Sequence, residues 1–383
     1  MVADSRVEDI AARFDNIQAY DDVGPLVVTV EHGSAQNHSL VWKTDRLVQG
    51  YLTLCYDAKP YQDGVLSSSI NTLGIYNDGL ISIAASFIPI PAVKEPTNVD
   101  VNIEWDISQS PQKTRILSSF GEGNISQKAT SLTTLSECVF MVGWINSFTP
   151  PTSTAEGGFR GIHWLGTLPD NLSSMTEFTS NMFPRLSAFF KDDSTSCQIF
   201  LRKVPRGLRA TQVTGGTLID YDEDTKEEHD WDIVRLFNSS MIATWAYLDL
   251  EDDGTSNDWF TKGYHHPIRI SHLYTIYLPY RFGQRTPDYF RATLNGYFSS
   301  YFTNPFINYP LDKIPSDSWH GQSALAMRSC IYMIRMDAYT RRASVARNAG
   351  ILRPIDEIVA DISSRRLRGE KVQVKDWMKN LGD

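Results

Sequence analysis

The stretch between residues 268 and 345 constrains the fold of this chain more than any other. It contains three runs rich in aromatic and β-branched residues, at 268–282, 296–303 and 329–339, separated by proline-bearing loops. Such residues favour strands, and Pro279 ends the first run because proline has no N–H to donate to a ladder. Strands joined by irregular loops, without a helix-length pattern between them, pair antiparallel over non-local connections. We therefore predict that this stretch forms half of an antiparallel β-sandwich.

Other segments also carry strand patterns. The clearest is 99–107, where apolar and polar residues alternate strictly, as expected for a strand with one solvated face. Asn77, Asp78 and Gly79 tolerate positive φ and predict a hairpin turn between strands at 70–76 and 80–90. Further strands are predicted at 47–56, 197–204, 217–221 and 242–250.

Both ends of the chain carry helical patterns. Ser5 and Glu8 form a capping-box pattern before a short amphipathic stripe at 6–18. Pro354 occupies a first-turn position before a second stripe at 354–363, and a third follows at 372–381. We expect these stripes to bind adjacent subunits, although docking back on their own domain remains an alternative. The predicted interface residues are Val7, Ile10, Phe14, Ile355, Ile358, Val359, Ile362, Trp377, Met378 and Leu381.

Charge is unevenly distributed along the 383 residues. The net charge is -9, which argues against a compact nucleic-acid-binding domain with a basic face. Residues 341–383 nevertheless contain ten basic and six acidic side chains. This basic tail predicts contact with an acidic partner, either protein or RNA, while a solvated helix face is the alternative.

The four cysteines lie far apart and include no C-x-x-C pair, which indicates buried free thiols. The amino terminus has no signal-peptide pattern. The longest apolar run, at 81–93, contains prolines and is too short to cross a bilayer, so we expect no membrane-spanning segment.

Strong catalytic motifs are absent from the sequence: it has no G-x-S-x-G, H-E-x-x-H, Walker A or G-x-G-x-x-G. We therefore predict no catalytic residue, no cofactor and no dedicated metal site. Two weaker alternatives remain. One alternative is a metal site formed by His265, His266 and His272, but the spacing of these histidines fits no common metal-binding pattern. The acidic loop at 249–260 begins like a calcium loop, yet it ends in Phe260 where an EF-hand needs glutamate, so only a weaker cation site between subunits stays open.

Five segments resemble the jelly-roll capsid proteins of picorna-like positive-strand RNA viruses, including those that infect insects. They are the glycine-strand-proline segment 49–60, the strand 73–76, the proline-ended run 86–91, the strand 273–280 with its Pro-Tyr end, and the final strand 330–339. The resemblance implies a mostly β, antiparallel jelly-roll sandwich with short amphipathic helical arms. It also implies a non-enzymatic structural subunit of an icosahedral virion, made in the host cytoplasm. Its partners would be copies of itself, other capsid chains and packaged RNA, the last through the basic tail.

This resemblance leads to a four-part division of the chain. Residues 1–25 form an amino-terminal helical arm, and 26–135 form a partial jelly roll that another chain completes. Residues 160–347 form a second jelly-roll sandwich, and 348–383 form the carboxyl-terminal arm. The alternative functions are a soluble β-sandwich module that binds carbohydrate or protein, and a β-sandwich hydrolase.

Overall fold

A computed structural model describes residues 14–32, 40–60, 73–76, 79–91, 98–149, 158–192, 195–204, 207–222, 230–246, 271–310, 313–315, 318–346, 353–373, 376 and 379. The chain divides into two compact units. Unit 1 comprises Met1–Phe148, Gly161–Asp170 and Gln198–Glu228. Unit 2 comprises Thr149–Arg160, Asn171–Cys197 and His229–Asp383.

Unit 1 is built mainly from strands. The first nine are β1 (Phe14–Asp21), β2 (Gly24–Leu26), β3 (Val28–His32), β4 (Leu40–Thr44), β5 (Thr53–Ala58), β6 (Gly74–Tyr76), β7 (Gly79–Ile83), β8 (Asn98–Ile103) and β9 (Arg115–Ser118). The later strands are β10 (Gly121–Glu122), β11 (Ile125–Ser131), β12 (Val139–Gly143), β13 (Ile145–Phe148), β14 (Gly158–Leu165), β15 (Ser196–Lys203), β16 (Arg209–Val213) and β17 (Gly216–Tyr221). A short helix, α1 (Leu132–Ser136), precedes β12.

Two five-stranded sheets enclose the main core of unit 1. Their strand orders are β10-β9-β12-β7-β6 and β13-β14-β15-β17-β16. The first is antiparallel, whereas β15 and β17 of the second run parallel. The strands of both sheets contribute buried side chains to one cluster, which includes Ile81, Met141, Leu165, Phe200 and Leu218. Smaller antiparallel sheets, β2-β1-β5, β3-β4 and β8-β11, complete the described part of this unit.

The parallel pair in the second sheet requires a glycine. A Cβ atom at Gly216 would lie 2.0 Å from the backbone oxygen of Gln198 on β15. Any side chain at this position would therefore separate the two strands. The same two strands carry an ion pair, in which Arg202 donates to Asp220 through Nε at 2.7 Å and Nη2 at 3.0 Å.

Unit 2 is built mainly from helices. They are α2 (Asp170–Phe190), α3 (Asp230–Ala246), α4 (Ser271–Arg281), α5 (Pro287–Phe302), α6 (Trp319–Ala346) and α7 (Pro354–Leu367). Trp245 of α3 lies at the centre, with its ring stacked on Phe190 of α2 at 5.4 Å between centroids. Its indole nitrogen donates to Asp192 at 2.7 Å, and its carbonyl accepts from Ser363 of α7. These contacts join α2, α3 and α7.

The predicted mostly β jelly roll is wrong, because the described chain is mixed and its carboxyl-terminal half is helical. The three predicted strands at 268–282, 296–303 and 329–339 lie in or overlap α4, α5 and α6, and the predicted strand at 242–250 begins inside α3. The physical reason is burial on more than one side. Leu273, Tyr274, Ile276, Tyr277 and Leu278 of α4 are all buried, so the apolar residues form a continuous run instead of a helical stripe.

The amino-terminal half agrees better with its strand predictions. Strands occur within or beside the predicted segments 47–56, 70–76, 80–90, 99–107, 197–204 and 217–221. The predicted helix at 6–18 is wrong over its described part, because strand β1 begins at Phe14; residues 1–13 lie outside the described residues. The carboxyl-terminal helix with Pro354 in its first turn is confirmed as α7. Among the described helices, none combines the length and hydropathy that a membrane span needs.

Candidate functional site

Unit 2 contains a cavity of about 340 Å³, a size typical of small-molecule or peptide-end sites. Its walls come from helices α2 and α3 and from the connection between α4 and α5. The lining combines apolar, amide, hydroxyl and charged side chains: Ser174, Met175, Glu177, Phe178, Asn181, Val234, Gln284 and Arg285. Such a lining can hold a ligand by contact and orient it by hydrogen bonds.

Helix α2 forms the longest wall. Ser174, Phe178 and Asn181 are spaced at helical intervals and therefore line the cavity from one face. The rest of the helix is anchored by the buried side chains of Leu172, Met182, Phe183, Leu186 and Phe190. The wall is thus part of the packed core of unit 2 and holds its polar residues in fixed positions.

The connection from α4 to α5 places Arg285 in the cavity. Gly283 follows the end of α4 with φ of 72°, a left-handed conformation that favours glycine, and its N–H donates to the Tyr280 carbonyl at 3.0 Å. Thr286 then caps α5 by accepting from Tyr289 N at 3.2 Å, with proline at the next position. Arg185 of α2 also donates to the Phe282 carbonyl, which ties the connection to the opposite wall.

The Arg285 guanidinium lies between two aromatic rings. Its central carbon is 5.4 Å from the Phe178 ring centroid and 5.3 Å from that of Tyr289. Cation–π attraction to both rings holds the planar group in place. Its Nη1 atom donates to the Gln284 carbonyl at 3.2 Å. Its Nε atom is buried and has no hydrogen-bond partner among the described residues.

A second arginine, Arg235 of α3, carries positive charge near Tyr289. Burial raises the pKa of both Tyr289 and Tyr297, and Arg235 of α3 acts in the opposite direction on each phenol. Arg285 acts on Tyr289 in the same way. The positive charges of Arg235 and Arg285 therefore both act to lower the pKa of Tyr289.

A separate polar network joins α4, α6 and α7. Buried Asp356 of α7 accepts from the Tyr274 hydroxyl at 2.8 Å and from Arg281. Arg353 lies 3.9 Å from the Tyr277 ring centroid and 3.2 Å from buried Asp337 of α6. Burial, together with the Asp356 carboxylate, raises the pKa of Tyr274 well above its ordinary value, so Tyr274 remains a hydrogen-bond donor. These contacts link helices α4, α6 and α7.

Replacing Tyr274 with phenylalanine is expected to lower the free energy of unfolding by about 1.5–3 kcal/mol, since a buried hydrogen bond to a carboxylate is lost. Equilibrium urea unfolding measures the change. Tyr339→Phe on α6 is the matched control, because the Tyr339 side chain is 52% exposed, and it is expected to unfold like the wild type. Equal stability of the Tyr274 variant and the control would contradict a stabilising role for the Asp356 network.

The predicted site residues do not converge in the structure. Ile355, Val359 and Ile362 are buried inside unit 2, where α7 packs against α3 and α6, and Ile358 of the same helix is half-buried. Phe14 packs its ring against Trp42 and Tyr56 in unit 1. Val7, Ile10, Trp377, Met378 and Leu381 lie outside the described residues. Binding of this set to neighbouring subunits stays a prediction.

The remaining predictions concern the histidines, the acidic loop and the basic tail. His265, His266 and the acidic loop at 249–260 lie outside the described residues, and His272 is half-buried in α4. The arginines of the basic tail, predicted to contact RNA, instead pair with acids of the same unit: Arg341 and Arg353 with Asp337, and Arg365 and Arg368 with Glu370. No sequence pattern pointed to Arg285, although Gly283 and the Thr286-Pro287 pair are ordinary signals of a helix end and a helix start.

Comparison with known proteins gives a consistent fold. No protein-family model and no curated protein matches the sequence. Among solved structures, an aminopeptidase N family protein from Idiomarina loihiensis matches with a TM-score of 0.69 and 11% identity, covering 96% of this chain and 64% of that chain. A two-domain M1 zinc metallopeptidase mutant bound to L-arginine matches with a TM-score of 0.52 and 12% identity, covering 96% and 80%. A mutant M1 zinc metallopeptidase from Deinococcus radiodurans matches at 0.50, with 12% identity and the same coverage.

These matches establish an aminopeptidase N-like fold for the chain, which spans 64% of the Idiomarina protein's length. They contradict the predicted capsid family, the virion location and the partnership with capsid chains and RNA, because the neighbours are described as peptidases. The alternative of a β-sandwich binding module is wrong for the same reason. The prediction that the chain is not an enzyme is likewise contradicted by neighbours that are enzymes.

The descriptions of the two metallopeptidase neighbours name zinc. A H-E-x-x-H site uses two histidines on one helix face, with the glutamate as general base. None of the eight histidines in this sequence is followed by glutamate. No group of three or more His, Cys, Asp or Glu side chains converges within the described ranges. At the contact between α3 and α4, the side chain of Asn238 is a neutral amide that donates a hydrogen bond to the Thr275 carbonyl. An amide is not among the usual zinc ligands, which are Cys, His, Asp and Glu. The donor set does not fit a H-E-x-x-H zinc centre.

Proposed function

We propose that this chain, with its aminopeptidase N-like fold, recognises peptides, and that the cavity of unit 2 is the recognition site. The observation that carries the proposal is the cavity's mixed lining. Met175, Phe178 and Val234 offer apolar contact for a side chain, while Asn181 and Gln284 offer amide groups that pair with a peptide backbone. The neighbours' description as peptidases supports a peptide over other ligands of this size.

Recognition and cleavage are separate properties of such a site. The described residues contain no ligand set that matches a H-E-x-x-H zinc centre, which is what hydrolysis by such a centre requires. Peptide binding needs only the shape and the hydrogen-bonding groups of the cavity. Both properties are therefore measured in one experiment, with binding and shortened products as independent readouts.

The full chain is incubated with a defined mixture of peptides, and protein-bound peptides are recovered by ultrafiltration and identified by mass spectrometry. The same mixture is inspected for peptides shortened from the amino terminus. We expect a subset of peptides to be retained or shortened. If the mixture passes through unbound and unchanged at high protein concentration, the proposed function is wrong.

A blocking substitution locates the binding site. Asn181→Trp adds bulk at an exposed position that lines the cavity, and we expect it to reduce peptide retention by about tenfold or more, because the ligand loses its contacts. Ala188→Trp is the matched control, since Ala188 is exposed on the same helix and does not line the cavity. Equal retention by the two variants would place peptide binding elsewhere.

A further inference from the structure

The cavity contains a guanidinium group, that of Arg285, whose environment differs from those of Arg202 and Arg281. Arg202 is bonded to Asp220 through two nitrogen atoms, and Arg281 donates to Asp356. Arg285 has no carboxylate within ion-pair distance among the described residues, and its polar contacts there are neutral groups, the Gln284 carbonyl and the Tyr289 hydroxyl. A half-buried cation without an acidic partner is costly unless a ligand or water solvates it.

The geometry around Arg285 is suited to a planar anion. The Phe178 and Tyr289 rings flank the guanidinium at 5.4 and 5.3 Å, which limits rotation of the side chain. The buried Nε atom is an unused donor among the described residues. A guanidinium presents its N–H groups as a fork that matches a carboxylate through two parallel hydrogen bonds.

The charged and polar lining of the cavity is compatible with a carboxylate ligand. Arg285 lines the cavity and Arg235 adds positive charge behind Tyr289, but the exposed Glu177 carboxylate also belongs to the lining. The arginines attract an anionic ligand, and the Glu177 carboxylate repels it. Asn181, Gln284 and Ser174 add neutral groups that can bond to the oxygen atoms of the ligand.

We infer that Arg285 binds a carboxylate of a peptide, from its carboxyl terminus or from an aspartate or glutamate side chain. This inference rests on the proposed function and names the ligand group that the cavity selects. The two sources share one chemistry, so the experiment distinguishes them with peptides that differ in a single carboxylate.

The test uses fluorescence anisotropy of the full chain with three labelled peptides of one core sequence. The first has a free carboxyl terminus and glutamine, the second has an amidated terminus and glutamine, and the third has an amidated terminus and glutamate. We expect one or both peptides that carry a carboxylate to bind about 10- to 100-fold more tightly than the neutral peptide, as expected for a charged hydrogen-bonded pair. The tighter of the two identifies the source.

Substitutions then assign the selectivity to the guanidinium. Arg285→Gln is expected to remove the 10- to 100-fold preference, so that the three peptides bind the variant with affinities within about twofold of one another. Arg285→Lys keeps the charge but not the fork, and we expect it to recover part of the preference. Glu177→Gln removes the repelling carboxylate and is expected to tighten carboxylate binding by about two- to fivefold, an effect of opposite sign that loss of structure would not give.

Arg291→Gln is the matched control. Arg291 lies on α5, is exposed, and pairs with Asp288 instead of lining the cavity, so its replacement is expected to leave all three affinities unchanged. Equal binding of the three peptides by the wild type, or equal weakening of all three in Arg285→Gln, overturns the carboxylate inference while peptide recognition stands. Absence of binding to every peptide overturns the proposed function and the inference with it.

Discussion

Replacing Asp220 with alanine is expected to lower the free energy of unfolding by about 3–5 kcal/mol, because it leaves the buried Arg202 guanidinium without its counter-charge. Both side chains are buried, with 1% and 4% of their surfaces exposed. Burial acts to lower the pKa of Arg202, but the Asp220 charge and its hydrogen bonds outweigh it and raise the pKa overall. Arg209 also donates to Asp220, at 2.7 Å, so a second arginine loses its acceptor.

The measurement is equilibrium urea unfolding of the wild type and three variants. The double variant Arg202→Met, Asp220→Leu removes both charges and is expected to lose much less stability than Asp220→Ala, since no uncompensated charge remains in the core. Asp288→Ala removes an acid from the exposed pair with Arg291 and is expected to unfold like the wild type. If the double variant is as unstable as Asp220→Ala, the loss of stability comes from altered side-chain packing and not from the unpaired Arg202 charge.

The stability of unit 1 is also expected to fall in acid through His163. Burial and the Arg115 charge lower the pKa of His163 to about 4 from an ordinary value of 6.5, with the Glu122 charge acting in the opposite direction. Its Nδ1 atom is 2.9 Å from the Ser147 hydroxyl, and its Nε2 atom is buried without a hydrogen-bond partner among the described residues. Protonation in the folded state would thus place a charge beside Arg115 in a dry site.

The sign of this effect follows from the two pKa values. Between pH 6.5 and 4 the unfolded chain binds a proton at His163 and the folded chain does not, so stability decreases as pH falls through this window. The shift corresponds to roughly 3 kcal/mol once the pH is below 4. His163→Gln has no imidazole to protonate. The unfolding free energy of the wild type minus that of the variant should therefore decrease by roughly 3 kcal/mol between pH 7 and 4. A difference that stays constant with pH would contradict a buried neutral His163.

Local sequence patterns correctly predicted those strands and that helix in which one face of the element is exposed to solvent. The alternation at 99–107 predicts β8, and Pro354 with the stripe after it predicts α7. These elements keep the hydrophobic period of their secondary structure because one face meets solvent. The helices of unit 2 depart from this condition in two ways. Helix α4 is buried on several sides, and the inward face of α6 includes polar Asp337, Thr340 and Ser344, which interrupts its apolar stripe.

The candidate site could not be predicted from the sequence for a different reason. Gly283, Thr286 and Pro287 mark the helix connection that carries Arg285, so its local geometry could be predicted from sequence. Its surroundings could not, because Phe178 lies more than a hundred residues earlier in the chain and Val234 about fifty. Only the packing of unit 2 brings these residues together. The same holds for Arg202 and Asp220, whose pairing depends on a parallel register between β15 and β17.

The most direct test of the account is equilibrium binding of a labelled, mixed-sequence peptide pool to the full chain, followed by anisotropy and competed with unlabelled pool. If the cavity of unit 2 binds peptides, the anisotropy rises saturably with protein concentration and unlabelled peptide reverses the rise. Asn181→Trp then weakens binding by about tenfold or more, while Ala188→Trp does not. A signal that never rises with protein concentration, in a sample whose peptides also remain intact, would contradict peptide recognition by this chain.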